Sequence, residues 1–221
     1  AQIIREYQSE IPYIFFISDI NKGRPFSLIN AINQTKSKYI AILDSDDIAT
    51  EHRLLESFKI LEENATLDLV SGQIQRFGPW GKTSPSRFPS DSHTIQTWLK
   101  KGRNPIAHST VTYRRKWYEQ TGGYDSEFIF CLDFDLFLRG AKHNNYFISK
   151  NIYAFYRTKQ RQPTYSYWKN SRVYRDLALK KYHQNTLFKK KNLRFAGFLQ
   201  NNNIALMFRY IIVRFFTRRL L

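Results

Sequence analysis

The chain has one cysteine, Cys131, and one methionine in 221 residues. One thiol excludes an internal disulfide framework and any cysteine-based zinc cage, and it suits a reducing compartment. Long apolar runs are also missing: no stretch reaches the eighteen or so uninterrupted residues of a membrane-spanning helix. The longest candidate, Ile204 to Phe216, is interrupted by Arg209 and Arg214. The first residues show no basic segment followed by an apolar one, so no secretory signal is expected. Acidic residues are scarce in one place. From Lys150 onward there are seventeen Lys and Arg but a single acid, Asp176, whereas the first 149 residues hold eighteen basic and seventeen acidic residues. The formal charge of +17 is therefore a near-neutral body followed by a basic end.

What is present is a large apolar fraction, 42% of residues, with 16% aromatic, enough to build a core and to exclude wholesale disorder. The chain begins at Ala1 inside a run that reads as a helix, Gln2 to Gln8, leading directly into a strand, so the expectation is a chain whose first elements precede it. Pro12 to Ser18 reads as a strand buried on both faces. Arg24 to Thr35 reads as a helix, Tyr39 to Leu43 as a second buried strand, and Leu67 to Gln75 as a third. Between the last two, Thr50 is the candidate cap of a helix with Leu54, Phe58 and Leu61 on its apolar face. This alternation predicts a layered α/β fold with a largely parallel sheet. Gly78 to Asp91, rich in Gly, Pro and Ser, reads as a loop long enough to be a functional flap. Further on, the pattern predicts a helix at Thr94 to Lys101, a strand at Ser109 to Tyr113 and a helix at Trp117 to Thr121. A helix at Leu132 to Ala141, one or two strands at Tyr146 to Tyr156, and helices near Trp168 to Gln184 and Asn203 to Leu221 complete the reading.

The sharpest chemical signal is Asp44-Ser45-Asp46-Asp47 at the end of a predicted strand. Ligands of open α/β sheets bind at the carboxyl ends of strands. Three carboxylates in four residues repel one another, and a hard cation such as Mg²⁺ or Mn²⁺ relieves that repulsion while leaving positions for phosphate oxygens. The plainer alternative is a turn whose acids favour a helix N-terminus. An EF-hand is excluded, because Ala49 and Leu55 stand where Gly and Glu are needed. A haloacid-dehalogenase-type phosphatase is disfavoured by Ile48 and by the lack of a downstream acidic pair.

Asn21-Lys-Gly23-Arg24, Asn30-Ala31, then Ser37 to Ile48 with its Asp44-Ser45-Asp46-Asp47, followed by Arg53-Leu54, resemble the nucleotide-sugar half of a family 2 glycosyltransferase. Asn104-Pro-Ile-Ala-His108-Ser-Thr-Val111, Gly122-Gly123-Tyr124-Asp125, Asp133-Phe-Asp135-Leu-Phe-Leu-Arg139 and Tyr156-Arg157 follow in that family's order. The resemblance covers roughly residues 10 to 160. It implies a GT-A fold, Rossmann-like, with a mixed and mainly parallel sheet, flanking helices and a basic C-terminal helical extension. The domain would run from 1 to 157 without its first strand–helix–strand, and the extension from 158 to 221.

The same resemblance implies that Asp44 and Asp46 hold Mn²⁺ or Mg²⁺ against a nucleotide-sugar donor, most naturally a UDP-sugar, with Arg24, Asn30 and Ser45 also on the donor side. Asp133 would be the base that deprotonates the acceptor hydroxyl in an inverting transfer, and His108, Gly123, Tyr124 and Asp125 would lie on the acceptor side. There are departures: Leu132 stands where the family usually carries an acid, and Lys159 where a His is common. Trp80, Trp98 and Trp117 are candidates for stacking on sugar rings, with packing the plainer role for at least two.

The basic end, in which Arg209, Arg214, Thr217 and Arg218 share half of a helical wheel opposite an apolar face, suits an anionic membrane surface. The expected location is the cytoplasmic face of a membrane, the acceptor a saccharide or lipid-linked saccharide, and the setting cell-surface polysaccharide synthesis. Two other classes compete. A catalytically inactive relative acting as a scaffold is favoured by Leu132 and the absent first elements. A nucleic-acid-binding protein is favoured by the basic, aromatic end, but no nucleic-acid motif accompanies it.

Overall fold

The computed structural model describes residues 20–79, 81–142, 145–158 and 164–185. The expected helix at Gln2 to Gln8, the strand at Pro12 to Ser18, Trp80, and the helix at Asn203 to Leu221 lie outside the described residues.

Helix α1 (Arg24–Asn33) starts after Gly23, whose φ of 85° is the left-handed conformation that only glycine adopts without penalty. Pro25 sits in the first turn, where a missing N–H costs nothing. Strand β1 (Tyr39–Ala41) follows, then a short β2 (Ile48–Ala49) and helix α2 (Arg53–Glu63). Strand β3 (Leu67–Gly78) forms a hairpin with β4 (Gly81–Lys82). Helix α3 (Ser92–Lys100) is N-capped by Asp91, whose carboxylate accepts from the Thr94 amide at 2.8 Å. After a 3₁₀ turn (His108–Thr110) come β5 (Thr112–Arg114), α4 (Arg115–Gln120), α5 (Leu132–Gly140), β6 (Asn145–Arg157) and α6 (Tyr165–Asn185).

The sheet has the order β1-β5-β3-β6-β2, with β4 on the end of β3. It is mixed, as expected, and among the described residues the pairing is not mainly parallel. Strands β1, β3 and β6 all run one way, yet β5 lies between β1 and β3 and runs against both. Among the described residues β3–β6 is the one directly parallel pair, and it is also the longest. An apolar run reveals a buried strand but not its direction, which the connecting helices decide. The pair closes tightly at Gly72: a Cβ there would lie 2.2 Å from Tyr153 Cγ on β6.

Three local expectations change. Thr50 does not cap α2; its amide and hydroxyl both turn to β6, the hydroxyl donating to the Ile152 carbonyl at 2.9 Å, so the helix starts three residues later. Helix α2 buries Arg53, Ser57 and Leu61, while Leu54 and Phe58 are about half exposed. Its inward position is taken by a guanidinium with a task near the site. The loop after β3 is fastened down: Gln73 Oε1 accepts from Ser86 Oγ at 2.9 Å and from the Phe88 amide at 2.8 Å, which does not suit a free flap.

The main core lies under β5 and α5 and is strongly aromatic. Trp117 is fully buried, 5.2 Å from the Tyr113 ring and edge-on to Tyr146 at 5.9 Å. It is a packing residue and not a sugar platform. Ala178 and Tyr182 of α6 belong to the same core, so this helix is built into the body of the protein. Among the described residues no helix is long and apolar enough to cross a membrane.

Candidate active site

Beyond β1 the chain turns sharply, the Asp47 amide bonding to the Asp44 carbonyl at 3.1 Å, and this turn sorts the three acids. Asp47 is 8% exposed and is consumed by structure: Ser109 Oγ donates to one carboxylate oxygen and the Arg157 amide to the other at 2.8 Å. It is therefore a strut and not a third ligand-bearing acid. Arg157, at the end of β6, also donates from Nε to the Asp46 carbonyl at 2.8 Å and lies over the Phe77 ring. Beneath the turn, Arg53 donates to the carbonyls of Ser109 and Ile42, the latter at 2.8 Å. These bonds lock the acidic turn to the 3₁₀ turn and to β6.

Asp44 faces outward and meets Arg24, whose Nη2 donates to its Oδ1. The same Nη2 is 2.7 Å from His108 Nδ1. A guanidinium has no acceptor, so Nδ1 accepts; Nε2 then carries the proton and donates to the Tyr124 hydroxyl at 2.8 Å. Tyr113 donates in turn to Tyr124 at 3.3 Å. Burial alone would raise the Asp44 carboxyl, but the charge and hydrogen bond of Arg24 oppose it, and the group is held below the usual carboxylate range. Tyr124 is pushed well above its ordinary value, first by burial, then by Tyr113 and the nearby charge of Asp133. Tyr156, beside all three acids of the turn, is raised by burial and then by those carboxylates, Asp47 before Asp44 and Asp46.

Asp133 is the second residue of α5, half-buried, and its Oδ2 accepts from Asn104 Nδ2 at 2.9 Å. Asn104 is fixed by its other side, where Oδ1 accepts the Ile106 amide at 3.1 Å. Asp135, two residues further along and on a different face of the helix, is 1% exposed and paired with Arg139 at 2.7 Å. Burial raises its carboxyl and Arg139 opposes the rise. It is spent on structure, because Arg139 also reaches the carbonyls of Thr121 and Gly123. Leu132, where the resemblance expects an acid, is 4% exposed within the main core.

The structure thus brings together Arg24, Asp44, His108 and Tyr124, with Asp133 within electrostatic reach of Tyr124. Ser45 is exposed in the turn, and Asp46 is half-buried beside it. Other expected residues serve elsewhere. Asn30 lies on α1 about 9 Å beyond Arg24 along the axis. Gly123 is there for its backbone: φ is 66°, and a Cβ would lie 2.9 Å from the Tyr118 ring. Asp125 pairs with Lys181 of α6 at 3.1 Å. Trp98 is half-buried on α3 with Arg103 over its ring. Sequence reasoning missed the parts played by Asn104, Ser109 and Arg53. Only Asn104 carried a signal, an Asn before Pro two residues ahead of a buried Ile, and it pointed to a turn.

The segment from Asp125 to Cys131 leads into Asp133 and is gripped by α6. Lys181 bonds Asp125 and Glu127, Phe128 and Phe130 both pack on Tyr174, and the Cys131 thiol donates to the Ser171 carbonyl at 3.2 Å. Cys131 itself has φ 55°, left-handed for a residue with a side chain, and burial pushes its thiol up to about 11.

For a cation, the hard carboxylates of Asp44 and Asp46 are the candidate donors, and among the described residues no group of three His, Cys, Asp or Glu side chains is arranged to hold a metal. Two carboxylates fit an ion such as Mg²⁺ or Mn²⁺ whose remaining positions are filled by phosphate oxygens and water.

The sequence matches the family described as Glycosyl transferase family 2 over residues 1–122. It is 30% identical over 189 residues to an uncharacterized glycosyltransferase of Methanocaldococcus jannaschii, covering 83% of this chain and 64% of that one. It is 25% identical over 126 residues to the Escherichia coli UDP-Gal:alpha-D-GlcNAc-diphosphoundecaprenol beta-1,3-galactosyltransferase, covering 56% of this chain and 45% of that one. The chain spans from under half to under two thirds of these curated relatives. Its fold matches S. aureus TarS residues 1–349, solved with UDP-GlcNAc, at a TM-score of 0.58 and 15% identity, over 92% of this chain and 63% of that one. By sequence and by its GT-A fold, the chain belongs to glycosyl transferase family 2.

Proposed function

We propose that the chain carries the catalytic machinery of an inverting glycosyltransferase that moves a sugar from a nucleoside-diphospho-sugar, a UDP-sugar by preference, to a hydroxyl of a saccharide or lipid-linked saccharide acceptor. The observation that carries this reading is Asp133: a half-exposed carboxylate at the start of α5, held by Asn104, whose charge reaches Tyr124, the residue bonded to His108 at the Asp44 end. Asp133 takes the proton of the acceptor hydroxyl as that oxygen bonds to the anomeric carbon. The bond from that carbon to the phosphate oxygen breaks, its electron pair leaves with the nucleoside diphosphate, and the configuration inverts. Asp44 and Asp46 would hold Mg²⁺ or Mn²⁺, which supplies Lewis-acid stabilisation of charge on a leaving diphosphate. Arg24 adds a positive charge beside Asp44.

The relative named for a diphosphoundecaprenol-linked substrate supports a lipid-linked acceptor and a place in cell-surface polysaccharide synthesis. The charge partition at Lys150 supports a peripheral position on the cytoplasmic, anionic face of a membrane.

The test is Asp133→Asn, which keeps shape and removes the base. Turnover with a UDP-sugar should fall by about 10²–10⁴-fold, while calorimetry shows donor affinity nearly intact. Turnover equal to wild type would remove Asp133 from the reaction. Asp135 is not its substitute, being buried and bound to Arg139.

A further inference from the structure

We propose that Arg24 is a built-in counter-cation of Asp44: it keeps a divalent ion off this carboxylate until a nucleoside diphosphate draws the guanidinium away, so that metal and diphosphate bind as a coupled pair. The inference rests on the donor-site reading above.

One oxygen, Asp44 Oδ1, accepts from Arg24 Nη2, and the same nitrogen is anchored a second time on His108 Nδ1 at 2.7 Å. The guanidinium therefore sits against one of the two carboxylate oxygens open to a divalent ion, and its charge opposes a second cation placed beside it. The two partners differ in freedom. Asp44 is held by its backbone, whose amide bonds Ser109 Oγ at 3.2 Å, and its side chain is 25% exposed. Arg24 is the first residue of α1, on a long stem, and its side chain is 47% exposed. Arg24 is the partner that moves.

His108 makes the resting position specific. Its neutral ring offers one acceptor, Nδ1, because Nε2–H is committed to Tyr124. Arg24 thus rests between an acceptor on a buried ring and an acceptor on the acidic turn. A diphosphate offers the guanidinium several charged oxygens and the chance of a bidentate bond, which neither resting partner provides. Once it is drawn there, Asp44 is released to a cation, and that cation in turn favours the diphosphate. By linkage, each ligand must tighten the other by the same factor.

The experiment titrates Mn²⁺, with and without UDP, into the full chain, following the free-ion EPR signal. Wild type, Arg24→Gln, Arg24→Lys and Asp44→Asn are compared. Arg24→Gln should bind Mn²⁺ alone about tenfold more tightly than wild type, and the gain in Mn²⁺ affinity on adding UDP should shrink by a similar factor. Arg24→Lys, which keeps the charge, should stay near wild type in Mn²⁺ alone. If Arg24→Gln binds Mn²⁺ alone no better than wild type while Asp44→Asn binds it poorly, the Arg24 inference is overturned and the donor-site reading stands. If Asp44→Asn binds Mn²⁺ with UDP as wild type does, the donor-site reading itself is wrong.

Discussion

Asn104 offers the most discriminating test of the catalytic end, because its two side-chain atoms have different duties. Nδ2 donates to Asp133 at 2.9 Å, and Oδ1 accepts the Ile106 amide and shapes the turn before the 3₁₀ segment. A hydrogen bond to a charged group contributes about 1.5–3 kcal/mol. Asp133 is only half-buried, so water replaces part of a lost bond and the lower end of that range applies. At about 1.4 kcal/mol per decade of rate, turnover should fall roughly ten- to thirtyfold when the donor is lost. Asn104→Ala removes both atoms. Asn104→Asp keeps an oxygen for Ile106 and removes only the donor to Asp133, placing a like charge beside it. Steady-state glycosyl transfer at saturating UDP-sugar should therefore be depressed in both variants, with thermal unfolding disturbed mainly in Asn104→Ala. Wild-type turnover in Asn104→Asp would show that Asn104 matters to the turn alone and would refute its role in orienting Asp133.

Two further outcomes are expected. Gly72→Ala places a methyl against the Tyr153 ring and should lower stability by about 1–3 kcal/mol, read as a shifted urea midpoint at constant slope; combined with Tyr153→Ala the penalty should largely vanish, and simple additivity would contradict the contact. The full chain should sediment with anionic vesicles in low salt and release near 1 M salt, where the Debye length is about 3 Å; deletion of residues 203–221 should abolish sedimentation, and retention by the shortened chain would place the attachment elsewhere.

Much of the layered arrangement was legible in the sequence, because buried strands declare themselves as short β-branched and aromatic runs and the acidic turn breaks one of them sharply. The insertion of β5 between β1 and β3 was not legible: three residues, Thr112 to Arg114, carry no mark of direction. The inward face of α2 was misread because Arg53 looks like a surface residue, whereas it is buried to satisfy two main-chain carbonyls. At the site, Asp44 and Asp133 stood out as acids in recognisable surroundings. That Asp47 is a strut and Asp44 an ion-pair partner depends on Ser109 and Arg24, which lie 62 and 20 residues away in the chain. Pairings over such separations leave no periodic trace.

The left-handed Cys131 can be read as a joint. A non-glycine residue in that conformation costs roughly 1–2 kcal/mol, and here the cost falls two residues before Asp133. The contacts that hold the joint bent come from α6: the Ser171 carbonyl on the thiol, Tyr174 against Phe128 and Phe130, and Lys181 on Asp125 and Glu127. Helix α6 thus acts as the clamp on a bent lever whose short arm ends at the base. A chain cut after Arg157 would keep every acid of the site and still lose the aim of one of them, because the bend would relax once nothing opposed it.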